Sequence, residues 1–170
     1  NIINDNGYGK GALIISEPFH TGIETLNNWM YMSKNINKSI KSFYEPLPSP
    51  FLLHHDDGGY TNQVSVGSNI YARYYKKTVE LPHGVADGYG KVVTFIPKSR
   101  QLEGSSVIDL IQSRNMIYLS AGADTTPDNN ICSVCGNSYF SCDCEHYAGN
   151  YYDITVPGTE RQNKIKCVRK

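Results

Sequence analysis

The apolar positions of this chain fall into short runs and partial alternations punctuated by glycine and proline, with two stretches spaced as helices are. Glycines precede Ala12-Leu13-Ile14-Ile15, a run that predicts a short buried strand leaving a turn. Over residues 21–43 the apolar positions Ile23, Leu26, Met30, Ile36, Ile40 and Phe43 recur at multiples of three and four residues. That spacing predicts one face of a helix, with Thr21 or Thr25 as its cap and the interior asparagines as a place to break. Pro46, Pro48 and Pro50 then forbid helix and deliver the chain in extended form to Phe51-Leu52-Leu53. This run reads as a strand that ends at His54-His55-Asp56-Asp57, before the turn signal Gly58-Gly59.

Two β-rich stretches follow, Val64-Ser65-Val66-Gly67 and Ile70-Tyr71-Ala72-Arg73-Tyr74-Tyr75, and then a loop holding Pro82, Gly84, Gly88 and Gly90. Residues 91–96 predict a strand closed by Pro97, and residues 105–114 a helix through Val107, Leu110 and Ile111 with Ser105 or Ser106 as cap. Met116-Ile117-Tyr118-Leu119 reads as a strand stopping at Ser120-Ala121-Gly122, after which residues 124–150 form a cysteine-rich excursion of little apolar content. Strand character resumes over 151–156, and 164–168 predicts one more strand. Many short strands with two helices predict an α+β fold: a mostly antiparallel β-barrel or sheet with flanking helices.

The length of 170 residues, with 16 Lys+Arg against 16 Asp+Glu, predicts one domain over residues 1–170 with its own core. Zero net charge removes the electrostatic argument for a nucleic-acid or anionic-membrane partner. No apolar run approaches the roughly 20 residues of a helical membrane span. The start at Asn1 reads as a piece of a longer protein. Two features of composition stand out: 13 Tyr, and 5 Cys bunched mostly between Cys132 and Cys144.

Three polar groups stand at or in predicted apolar strands: His54/His55, Ser120 and Asp153. A serine hydroxyl becomes a nucleophile when an imidazole takes its proton, and a carboxylate fixes that imidazole's tautomer. Ala121-Gly122 would let a peptide carbonyl approach backbone N–H donors of an oxyanion hole. The segment Pro50-Phe-Leu-Leu-His-His-Asp, with Val66-Gly67 beyond it, resembles the first motif of the tailed-phage prohead maturation proteases, a strand ending in His-Asp beside a strand carrying Gly. The helix over 106–114 followed by Met-Ile-Tyr-Leu-Ser-Ala-Gly is similar to that family's second motif, and Tyr152-Asp-Ile-Thr-Val156 to its third. The likeness covers roughly residues 45–160 and keeps the order His, Ser, acid.

This resemblance implies a serine endopeptidase of the assemblin-like fold shared with herpesvirus maturation proteases. It would cleave scaffold, capsid and portal-associated proteins, and itself, inside proheads assembling in the host cytoplasm. Carried over by position, Ser120 is the nucleophile, His55 the base because it directly precedes an Asp, and Asp153 the orienting acid, with His54 as the alternative base. In the herpesvirus relatives a second His takes the third place, so His83 or His146 stands as an alternative to Asp153. Those relatives dimerise to organise the oxyanion hole, so a homo-oligomer is an open expectation here. No cofactor is implied for catalysis, and no nucleic acid or membrane.

Cys132-Ser-Val-Cys135-Gly136 is a knuckle that lets two thiolates grip one zinc while the glycine relieves the tight turn. Cys142-Asp-Cys144-Glu-His146 supplies the rest. The expected ligand set is Cys132, Cys135, Cys144 and His146, with Cys142 in place of Cys144 as the alternative and Cys167 outside the cluster. Four protein ligands leave no open position, so this zinc is expected to be structural. The rival to the protease reading is a non-enzymatic, zinc-stabilised virion protein or protein-binding module.

Overall fold

The structure, a computed structural model, describes residues 11–52, 64–116, 129–139 and 143–170. His54, His55, Ser120 and Cys142, and the strand expected over 116–119 beyond Met116, lie outside the described residues. The chain divides into two compact units: Asn1–Phe19, Asn37–Tyr75 and Tyr89–Gly122 form the first, and His20–Ile36, Lys76–Gly88 and Ala123–Lys170 the second. The architecture is α+β and mostly antiparallel; among the described residues the sheets are open and no barrel closes.

The strands in chain order are β1 (Gly11–Thr21), β2 (Pro50–Leu52), β3 (Ser65–Tyr75), β4 (Val79–Leu81), β5 (Gly84–Ala86), β6 (Gly88–Pro97), β7 (Gln101–Leu102), β8 (Ser105–Ser106), β9 (Tyr151–Thr155) and β10 (Gln162–Lys166). The helices are α1 (Ser33–Ser39), continued by a 3-10 turn at Ile40–Phe43, and α2 (Val107–Gln112).

The first unit is built on a four-stranded sheet in the order β1-β6-β3-β2. β6 alternates strictly, with Gly90, Val92, Thr94 and Ile96 buried and Tyr89, Lys91, Val93 and Phe95 partly exposed, the pattern of a sheet covered on one face. On the covered face Val66, Ile96 and Val107 form a fully buried cluster, with Ile14, Phe51, Ile108, Ile111 and Met116 packed against it. α2 is therefore the lid of this core. Its start is set locally: Ser106 is extended and its hydroxyl accepts the Asp109 N–H. Glu103 and Gly104, both at positive φ, turn β7 into β8 immediately upstream. On the other face Arg73 pairs with Lys91 and Tyr75 with Tyr89, the two rings stack at 5.3 Å, and both cations lie over the Tyr75 ring. The two stretches expected over 64–67 and 70–75 form one strand, β3, with a register shift between Asn69 and Tyr71.

In the second unit β4 and β5 form a hairpin inside what the sequence presents as a loop, and β9 and β10 form another. The long helix expected over 21–43 is a correction: helix begins only at Ser33. Upstream, Thr25 N–H donates to Trp29 O, the Thr25 hydroxyl accepts the Trp29 N–H, and Asn28 adopts a left-handed φ of 58°. Side chains that bond their own backbone compete with helix, and here they build a turn closed by a Glu24–Met30 bridge. Leu26, expected on the buried helical face, is fully exposed as a result. Arg169 is sandwiched between the Trp29 ring, 5.3 Å from its centroid, and the Tyr139 ring, 4.0 Å away, tying the C-terminal residues into this unit.

Candidate metal centre

Four side chains of the second unit converge. The ligand atoms of Cys132, Cys135, Cys144 and His146 all lie within 4.8 Å of one another, and this group could hold a metal ion. Around a tetrahedral zinc with bonds of about 2.0–2.3 Å, ligand atoms sit roughly 3.3–3.8 Å apart, so the cluster closes with a small contraction.

The knuckle is shaped by its own backbone. Gly136 N–H donates to Cys132 O at 2.9 Å and Cys132 N–H to Asn137 O at 2.9 Å, so residues 132–137 fold back on themselves. Gly136 takes φ 75° with open space where a Cβ would stand; it is required for its left-handed backbone, not for crowding. The turn aims N–H groups at sulfur: Val134 N–H donates to Cys132 Sγ at 3.4 Å, and Cys135 N–H is a second backbone donor to the same sulfur. Burial opposes ionisation of Cys132, but these donors together with the Cys167 thiol outweigh it and hold the Cys132 thiol below its ordinary pKa. The thiol of Cys144 is held above its ordinary value, chiefly by burial, despite a backbone donor at His146.

His146 supplies the fourth atom, and its surroundings are the observation that tests the donor set. Its Nδ1 is buried and has no hydrogen-bond partner. A buried imidazole nitrogen without a partner carries a desolvation cost of roughly 1–3 kcal/mol, which a metal bond at that nitrogen would remove. The ring is held edge-on against Tyr152 of β9, centroids 4.5 Å apart at 87°, and the Tyr152 hydroxyl accepts the Tyr147 N–H at 2.8 Å. A soft set of three thiols and one imidazole with no carboxylate suits zinc-like ions and not calcium or magnesium.

The residues singled out in sequence thus divide. Cys132, Cys135, Cys144 and His146 come together, with Cys144 filling the position for which Cys142 was the alternative. Asp153 lies on β9, exposed, opposite Lys164 of β10. His83 is exposed in the turn between β4 and β5. Sequence reasoning missed Cys167: its sulfur lies 3.7 Å from Cys132 Sγ, both residues are buried, and burial followed by the neighbouring Cys132 pushes the Cys167 thiol up to about 12. The signal in sequence is slight, a cysteine beside Val168 near the end of a strand. Among the described residues no helix is long and apolar enough to cross a membrane. Compared with known proteins, the chain matches no protein family, no curated protein and no solved structure.

Proposed function

We propose that the second unit is a zinc-stabilised module whose metal is structural. The observation that carries this reading is the convergence of four potential ligand side chains, among them His146, whose ring carries a buried and unpartnered Nδ1. Four protein ligands complete a tetrahedron and leave no site for a water nucleophile. The zinc therefore holds the segment in shape and takes no part in hydrolysis. Protein purified in the presence of zinc should carry one equivalent by elemental analysis, and Cys135→Ser with His146→Ala should carry none. Wild-type protein that refolds in excess zinc without retaining any would refute the reading.

For the chain as a whole we propose the serine endopeptidase reading, the assemblin-like architecture being the finer form of its α+β class. Its support is the order of the three sequence motifs, together with two local features of the first unit. β2 ends at Leu52, two positions before His54 in the sequence, and Phe51 pairs with Gly67 of β3, as the first motif's strand beside a glycine-bearing strand requires. α2 lies where the second motif expects a helix. In this reading Ser120 attacks the scissile carbonyl, His55 takes its proton and Asp153 orients the imidazole. The substrates are scaffold, capsid and portal-associated polypeptides of an assembling prohead, which suits a chain of zero net charge. The alternative is a non-enzymatic, zinc-stabilised binding module. Co-expression with such a scaffold or capsid protein separates the two: Ser120→Ala should abolish processing while leaving zinc content and melting unchanged. Equal processing by the variant, or none by the wild type across cognate head proteins, would favour the binding module.

A further inference from the structure

Cys132 is the most buried of the four ligands, and its sulfur has a neighbour outside the ligand group: Cys167 Sγ, at 3.7 Å. The position of Cys167 is fixed by backbone on both sides, its N–H donating to Asn150 O at 2.7 Å and its C=O accepting the Gly149 N–H at 2.8 Å. The strand is further tied to the knuckle through Ser133, whose hydroxyl donates to Lys166 O and accepts the Val168 N–H at 2.9 Å. The two sulfurs are therefore held together by residues 35 positions apart in sequence, without dependence on either side chain.

When Cys132 binds a metal its sulfur is a thiolate and has no proton to give, so in this pair the S–H belongs to Cys167. A donor facing an ionised acceptor makes a stronger bond than a neutral pair does. We infer that Cys167 is a buried hydrogen-bond donor to the metal-bound sulfur of Cys132, a positioning residue that keeps this thiolate on the metal and damps its attack on electrophiles. The inference rests on the metal-site reading above and deepens it. Together with the N–H groups of Val134 and Cys135, the thiol gives the Cys132 sulfur three donors. Each draws negative charge from the sulfur, and outer partners of this kind typically carry 10–100-fold in metal affinity.

The test uses the full chain loaded with Co(II) or zinc, comparing wild type with Cys167→Ala and Cys167→Ser. Cys167→Ala should lower metal affinity at least about tenfold. It should also shift the sulfur-to-cobalt charge-transfer band to lower energy and accelerate alkylation of the metal-bound protein. Cys167→Ser, which keeps a donor, should restore the band toward wild type, a response that mere loss of packing would not produce. Should Cys167→Ala not fold with metal, Cys167→Val takes its place, and X-ray absorption on the wild type tests the ligand count independently of any variant. Three sulfurs and one nitrogen around zinc agree with the inference; four sulfurs that fall to three in Cys167→Ser would make Cys167 a ligand and overturn it. An unshifted band and unchanged affinity in the apolar variant, with three sulfurs and one nitrogen bound, overturn this inference alone. Failure of the wild type to bind either metal defeats the metal-site reading itself.

Discussion

Removing metal from the proposed site should open the second unit locally while the four-stranded sheet of the first unit keeps its hydrogen bonds. Among the described residues of the second unit the buried apolar side chains are Ala86, Cys132, Cys167 and Val168. Full burial of a valine contributes roughly 1.5–3 kcal/mol. The Asn130 amide, fully buried with neither its nitrogen nor its oxygen partnered, costs a comparable 1–3 kcal/mol or so. These two contributions nearly cancel, so on the proposed metal reading a bound ion would supply a large share of the stability around the knuckle. Free zinc at a thousand times its Kd stabilises the native state by about 4 kcal/mol, a factor of roughly 10³ in local opening. The assay is residue-resolved amide exchange on zinc-loaded protein before and after chelation, with metal content measured in both samples. Expected to lose about 10³-fold protection are the amides of Cys132, Cys167 and Val168, whose N–H groups bond Asn137 O, Asn150 O and Ser133 Oγ. Val92 and Thr94 of β6, in the first unit, should keep theirs. Complete metal removal with protection at Cys132 and Cys167 changed less than tenfold would refute the reasoning.

Three further outcomes follow from particular contacts. Asp87 accepts the Ser33 hydroxyl at 2.7 Å and the Thr21 hydroxyl, and these bonds hold its carboxyl below the usual range against the opposing effect of burial. Because the folded pKa is depressed, the stability is present above the unfolded value of about 3.9 and is lost as pH falls through the folded pKa. Urea midpoints measured from neutral pH downward should show this acid limb in the wild type and a shallower one in Asp87→Asn; identical limbs would remove Asp87 as its source. Thr94→Val leaves the buried Asn69 Oδ1, now accepting the Thr94 hydroxyl at 2.7 Å, without a donor, and should cost roughly 1–3 kcal/mol in chemical denaturation. Gly67→Ala would set a Cβ 2.5 Å from the backbone oxygen of Phe95, which cannot swing aside as a side chain can. A loss of roughly 1–3 kcal/mol is expected, and a melting temperature equal to wild type would argue against that close approach.

Legibility followed sequence distance. The α2 segment was readable because its cap and its apolar spacing are properties of a few adjacent residues, and β9 because alternation is a strand's own pattern. The 21–43 stretch misleads because its apolar spacing satisfies a helical template while Thr25 and Asn28 use their local bonding to make a turn. Spacing reports which face a helix would bury, not whether the backbone chooses to be one.

By itself the sequence indicated the candidate metal-binding group, with Cys142 still open as the alternative to Cys144: Cys132, Cys135, Cys144 and His146 are close along the chain, and the Cys-x-x-Cys-Gly knuckle folds on its own backbone bonds. It determined the α+β class, which depends on counting short alternating segments. The tertiary structure alone decided the strand order β1-β6-β3-β2 and the approach of Cys167 to Cys132. Each of these depends on which distant segments meet, and that choice is made by the summed burial and backbone pairing of whole elements. No local pattern in the residues concerned encodes it.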